Sequence, residues 1–507
     1  AEALAVRGNK ILRVGSNREI KRLRRRQTIA LDAHGATVLP GFNDARVRLV
    51  EGGLVLDAAD LAGAATPQDI RTRIAAYLER HPDRPWVIAR GWSRADYTGP
   101  VTRQALDAIV GDRPAYLIAS DDSRGWANTL ALRTANLARA GAAGGARDAR
   151  TDESAAVLQG PAHALMLRAL PAPSPAEQQA AVRVAVEEAH RLGITSVQDF
   201  GDMPDRLSTF DTLLESGELP LRVYAALPLS GTATDAELAA MAAAKRQYPD
   251  DPVFKAGPVS IDVDRWTSAQ DAAAADREDT GTAARLDELV ATLDGRRWSV
   301  ALHAGHEATI RLSLDAIERA AGHKASDTGR HRIDGIDALD AADASRFADE
   351  HVVASLRPAA ESFSTAASGL MPARSRLAAD GVWPLARLQA SRARIIFGSN
   401  WPALPLDPRV GLAAAMTQAA PDEDEIESDT RAAAALAGAI DAYTADPAWT
   451  SADDQRKGTL APDMLADIVI LSSDIFAPGA RVMDAVVDTT IFDGRIVYAR
   501  TPAALTE

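Results

Sequence analysis

Both ends of this chain read as short β-strands, and the long middle alternates short apolar strands with helical patterns. That alternation constrains the fold most, because strands separated by helices favour a parallel sheet covered by those helices. The first candidate strands are Ala3-Leu4-Ala5-Val6, Lys10-Ile11-Leu12-Arg13-Val14 and Thr37-Val38-Leu39. The last are Ala466–Leu471 and Thr490–Tyr498, where Asp493-Gly494 between two apolar runs is a hairpin signal. These pieces predict one small β domain built from both termini. In the middle, Ser174-Pro175-Ala176-Glu177 supplies an N-cap, a first-turn proline and a capping-box glutamate, and Gly193 supplies the stop. Ile194–Val197 follows as a strand, with further strands predicted at Trp298–His303, Val352–Leu356 and Arg394–Phe397. Polar residues or glycine follow these strands, and in a barrel such strand ends carry the chemistry.

The 507 residues are enough for a large domain and a smaller one, and 47% are apolar. No apolar run is long enough to span a membrane. A net charge of −14 argues against a general nucleic-acid or anionic-membrane partner. The absence of cysteine excludes disulfides, thiolate metal sites and a cysteine nucleophile. The sequence starts at Ala1 and shows no signal peptide, which suits a cytoplasmic protein or a mature exported, periplasmic one equally. Two charge runs stand out. Lys21-Arg22-Leu23-Arg24-Arg25-Arg26 and Pro421-Asp422-Glu423-Asp424-Glu425 both read as solvated faces. The glycine-rich stretch 141–145 lacks the lysine and hydroxyl residue of a phosphate loop.

One segment bears on chemistry: Leu39-Pro40-Gly41-Phe42-Asn43-Asp44-Ala45-Arg46-Val47-Arg48. Gly91-Trp92, Gly193–Val197, Leu314–Glu318, Phe397-Gly398-Ser399-Asn400-Trp401-Pro402 and Leu465–Leu471 accompany it along the chain. Together these blocks resemble the metal-dependent amidohydrolase superfamily, in particular amidohydrolase family 3 and its N-substituted formamide deformylase-like branch. The resemblance implies a (β/α)₈ TIM barrel, here spanning 40–455, and a β-sandwich formed by 1–39 with 456–507. It also implies hydrolysis of non-peptide C–N bonds by a metal-bound hydroxide, with zinc or another divalent ion held by histidines, a bridging lysine and an aspartate.

Position by position, the family's ligands are mostly replaced. The two strand-one histidines fall on Arg46 and Arg48, the lysine on Ser260, the strand-six Glu-His pair on Asp334-Gly335, and the strand-eight aspartate on Asn400. Only the strand-five histidine survives, as His303. The family's substrate-holding Asp-Gly-His block reads Asp121-Asp122-Ser123, and a histidine position after Thr-Ser-Val holds Gln198. A guanidinium has no lone pair to give a metal. The expectation is therefore a pseudoenzyme with no metal cofactor, binding a small anionic molecule or serving as a structural subunit.

Several site arrangements follow. Arg46 and Arg48 are expected to share one face of a strand, and Ser260, Asp262 and Asp264 one face of another, so that the aspartates neutralise the arginines as an ion-pair plug. Arg46 and Arg48 with Trp92, Asn400 and Trp401 form a candidate ligand pocket, and Trp126 is a further candidate wall. The competing reading is a hydrolase with a rebuilt site, using His303, Asp334 and Asp264 with Asp262, on an amide-containing molecule. His306 and Glu307 have no assigned role, and no nucleophile elbow appears. A third reading makes the barrel an interaction subunit. Nucleic acid and membrane insertion are not expected, and the resemblance allows a homodimer.

Overall fold

The computed structural model describes residues 1–137, 156–203, 205–229, 233–271, 280–321, 329–363, 383–417 and 425–500. The glycine-rich stretch 141–145 and acidic residues 421–424 lie outside them. Eight strands form one parallel sheet in chain order. They are β1 (Phe42–Val47), β2 (Ile194–Asp199), β3 (Arg222–Pro228), β4 (Phe254–Asp262), β5 (Val300–His303), β6 (Arg332–Asp334), β7 (Val353–Leu356) and β8 (Ile395–Phe397). The ring closes just past β8. Asn400 donates its amide to the Arg46 carbonyl at 2.8 Å, Arg48 donates to Trp401 O at 2.9 Å, and Val47 bridges Trp401 in parallel. This is an α/β TIM barrel, and its strands read as short apolar runs because helices cover them. Gly398 is required at the seam. A Cβ there would lie 2.7 Å from Arg46 Cβ and 2.8 Å from Arg46 N.

The capped helix is present as Pro175–Arg191. Ser174 N donates to Glu177 Oε2 and Glu177 N to Ser174 Oγ, the reciprocal bonds of a capping box.

The two ends of the chain meet in a four-stranded antiparallel sheet, ordered Arg495–Ala499, Val487–Phe492, Ile468–Leu471 and Val38–Pro40. The hairpin at Asp493-Gly494 falls where the sequence places it. The N-terminal strands Ala3–Arg7 and Lys10–Gly15 pair with each other as a separate sheet. Ile11 of that hairpin packs with Ala466, Ile468 and Ile491. A buried fork joins this region to the barrel: Arg222 at the start of β3 pairs bidentately with Asp467 at 2.5 and 2.8 Å and also reaches Asp493 at 3.0 Å.

The alternation along 40–455 does not announce a second compact unit, Gly53–Ala181, set off from the one that holds the barrel. Its five-stranded sheet is ordered Ala59–Asp60, Val87–Trp92, Ala115–Ala119, Arg124–Ala127 and Val157–Gln159. Its core includes Leu61, Ile70, Ile74, Leu106, Leu117 and the two tryptophans Trp92 and Trp126. No described helix of either unit is long and apolar enough to cross a membrane.

Candidate functional site

The C-terminal end of β1 delivers Arg46 into the barrel mouth. Its local turn is set by Asp44, whose Oδ1 accepts the amides of Arg46 and Ser399, both at 3.0 Å. Burial pushes the Asp44 carboxyl up to about 6, against the lowering effect of those hydrogen bonds. Arg46 Nη1 lies 2.9 Å from Asp334 Oδ2 at the end of β6. Arg332, two residues earlier on β6, shares Asp334's face and closes on it from the same strand, with Nη2 at 3.0 Å from Oδ1 and 3.1 Å from Oδ2. Only the Oδ2 contact has hydrogen-bonding geometry; the Oδ1 contact is purely ionic. Arg332 also donates to Gln198 Oε1 at 2.5 Å and to Ala45 O at 2.9 Å. Phe200 lies against both guanidiniums, 4.6 Å from Arg46 and 4.4 Å from Arg332.

Asp334 is fully buried and Arg332 nearly so. Burial raises the Asp334 carboxyl, but Arg332 and then Arg46 outweigh it and hold the group below its ordinary value. Arg46 comes down to about 10, chiefly through burial, with Arg332, Arg357 and Arg48 adding repulsion against the pull of Asp334. At neutral pH Asp334 and Arg46 are therefore both ionised.

His303 ends β5, in register with Asp262 on β4 and Asp334 on β6. Its Nδ1 is buried and has no partner among the described residues. The ring occupies the space a side chain at 335 would need: a Cβ on Gly335 would lie 2.4 Å from His303 Cε1 and 2.7 Å from Nδ1. Gly335 also sits at φ +81°, which disfavours any other residue. Burial, then the positive charges of Arg46 and Arg357, lower the His303 pKa and keep the imidazole neutral. Arg357 pairs with Asp337 and leans on the Gly335 carbonyl at 3.4 Å. An open cleft of about 410 Å³ is lined by Asp262, Asp264, Arg265, His303 and His306.

Several expected placements change. Arg46 and Arg48 do not share a strand face, because β1 ends at Val47 and the helix Leu49–Asp57 begins right after Arg48, which is exposed. Asp264 does not alternate along a strand with Ser260 and Asp262. The strand stops at Asp262, and Asp264 lies in the first turn of helix Val263–Asp271. Its carboxylate accepts from Gly305 N at 2.8 Å and Thr309 Oγ1 at 2.6 Å, while Asp262 accepts from Arg265 N at 2.9 Å. Arg46 is neutralised by Asp334 rather than by these two. Asp334 makes no hydrogen bond to His303, so it does not orient that ring.

Trp92 is fully buried in the core of the second unit, 5.7 Å from Trp126. Trp401 is also packed: a Cβ on Gly52 would lie 2.0 Å from its ring. Asn400 sits at φ +57° and helps close the seam through its backbone. Ser260 is half-buried on β4. Arg332 and Phe200 are the residues that sequence reasoning missed. The signal for Arg332 was available, since it stands two positions before Asp334 on the same strand. Among the described residues, no group of three or more His, Cys, Asp or Glu is placed to hold a metal ion.

A parallel eight-stranded barrel with ionisable side chains at its C-terminal strand ends has the layout of the barrel enzymes, whose sites lie at those ends. The sequence pattern of the amidohydrolase family matches residues 30–498, and the chain belongs to that family. The putative amidohydrolase YtcJ of Bacillus subtilis strain 168 is 24% identical, over 94% of this chain and 91% of that protein. The N-substituted formamide deformylase of Arthrobacter pascens is 30% identical over 139 residues, 26% of this chain and 25% of that one. An uncharacterized metal-dependent hydrolase from Pyrococcus furiosus shares the fold, with a TM-score of 0.68 at 20% identity over 93% of this chain and 95% of the other.

Proposed function

We propose that this chain is a metal-free member of its family, a pseudoenzyme whose barrel mouth binds a small anionic molecule. The observation that carries this reading is the buried Arg46–Asp334–Arg332 cluster. Two guanidiniums and their shared carboxylate occupy the place where the family resemblance puts metal ligands, and the residues present do not fit a metal. Arg46 has no lone pair to donate. Asp334 is committed to two cations. His303 Nδ1 is turned against Gly335. A divalent ion would also meet the repulsion of Arg46, Arg332 and Arg357.

Anion binding is supported by the charge left over. Two arginines share one carboxylate in the cluster, and Arg46 spends only Nη1 on it. Arg48, exposed at the mouth, has no side-chain partner among the described residues. Planar guanidinium donors with free hydrogens suit a carboxylate or phosphate group.

A second reading keeps hydrolysis of a non-peptide C–N bond with a rebuilt site. It rests on His303, a neutral imidazole bordering the cleft beside Asp262. A neutral imidazole can take a proton, but no carboxylate among the described residues orients it.

Metal content and turnover of formamides, with and without metal, together separate the two. Protein purified without chelators, offered zinc and manganese and then desalted, is expected to hold well under one equivalent of either by ICP-MS. A full equivalent lost in a His303→Ala variant, together with turnover of formamides, would overturn the metal-free reading.

A further inference from the structure

The basic run near the N-terminus is not absorbed by anything the barrel does. Residues 21–32 are exposed without interruption, and residues 22–37 contain no helix or strand. Loops of that length without regular structure are uncommon in compact domains and are usually functional or disordered. From Arg22 to Ala36 its described hydrogen bonds are local, such as Leu23 N to Ile20 O, Arg25 N to Thr28 Oγ1 and His34 N to Asp32 Oδ1, and Thr37 ties its end to Ser473 and Asp474. Lys21, Arg22, Arg24, Arg25 and Arg26 have no side-chain partner among the described residues, although most arginines of the barrel unit named above are paired.

The same loop shows its aliphatic side chains to solvent. Leu23 is 38% exposed, Ile29 62% and Leu31 39%, and Ile29 is the most exposed large hydrophobic residue described. A purely solvated charge run has no use for them. Basic side chains interleaved with exposed aliphatics match the boundary of a lipid layer, where phosphates meet guanidiniums and aliphatic groups enter the acyl region. Stacking on nucleic-acid bases favours Phe, Tyr or Trp, and 17–37 contains none of these three. The acidity of the whole chain does not prevent this contact, because charges more than about 8 Å apart are largely screened at physiological salt.

We propose that the loop 21–31 docks this protein peripherally on an anionic phospholipid surface. Arg22, Arg24, Arg25 and Arg26 engage lipid phosphates, and Leu23, Ile29 and Leu31 insert shallowly. The site is independent of the barrel mouth and of what binds there.

Co-sedimentation of the full chain with vesicles tests this, using phosphatidylcholine alone and phosphatidylcholine mixed with phosphatidylglycerol. Binding is expected only to the anionic vesicles and to fall as salt rises. The triple variant Arg24→Glu, Arg25→Glu, Arg26→Glu should lose on the order of a hundredfold in partitioning. Ile29→Asp should weaken binding several-fold while leaving the salt dependence in place. All four positions are exposed, so an unchanged melting temperature should confirm that the variants fold. Equal binding to both vesicle types, no binding to either, or an unaffected triple variant would overturn the proposal. Tighter binding to duplex DNA or to an acidic peptide than to the anionic vesicles would overturn it as well.

Discussion

At the scale of single residues, the barrel mouth depends on Asp334. It is the carboxylate that Arg46 and Arg332 share there, and Arg332 is almost wholly buried. Such a cluster adds little net stability when complete, because desolvation offsets attraction, but removing one member leaves unpaired buried charge. Asp334→Ala should therefore cost about 3–5 kcal/mol in a denaturant titration at neutral pH. The wild-type cluster should also fail in acid. The folded-state pKa of Asp334 lies below its ordinary value, so its contribution is present above the unfolded pKa and is lost as pH falls through the folded one. Stability that fell equally in acid for the wild type and for Asp334→Ala would count against this account. The sequence shows Asp334 and Arg46 as candidates, but their pairing depends on how eight strands wrap into a ring, and no local pattern encodes it.

At the scale of elements, what was legible divides along the period of the pattern. Strand pairs joined by turn residues, such as the hairpin at Asp493-Gly494, and a helix with explicit caps, such as Pro175–Arg191, were readable because their signals are local. The end of β4 was not. Ile261-Asp262-Val263-Asp264 alternates apolar and polar like a strand, yet the helix begins at Val263, because both aspartates are used to tie the helix start and the β5 loop. The seam between β1 and β8 shows a related tension. Asp44 joins both strand ends through one oxygen, while its buried Oδ2 has no partner among the described residues. Its pKa is raised to about 6, so here the sign is the reverse of Asp334. Its stabilising contribution is full below the unfolded pKa of about 4 and is lost as pH rises through 6, a change of about 3 kcal/mol. Asp44→Asn keeps the acceptor and removes the titration. Its stability relative to wild type is expected to improve steadily between pH 4 and pH 7 in urea melts; a constant difference across that range would show that Asp44 titrates normally.

At the scale of the whole molecule, the family and the barrel are shown, and the barrel mouth holds two guanidiniums on one carboxylate. The fold was legible from distributed sequence blocks, and the second unit at Gly53–Ala181 was not, because its strands and helices alternate much as the barrel's do. Burial of Trp92 in that unit's core removes an aromatic wall that the sequence offered to the pocket. On the proposed reading the arginines select the ligand, and linkage makes that selection measurable. A ligand that binds only the folded chain stabilises it by about 2.7 kcal/mol at a hundredfold excess over its Kd, enough to move the melting temperature by several degrees. Small carboxylates or phosphate esters that fit the mouth should raise the melting temperature with a saturable midpoint, and zinc should not raise it. Arg48→Ala removes an exposed side chain with no partner among the described residues, so it should leave the ligand-free melting temperature unchanged and shift the anion midpoint upward at least about tenfold. A zinc-dependent rise would favour the rebuilt hydrolase, and an anion response indifferent to Arg48→Ala would place the anion away from the barrel mouth.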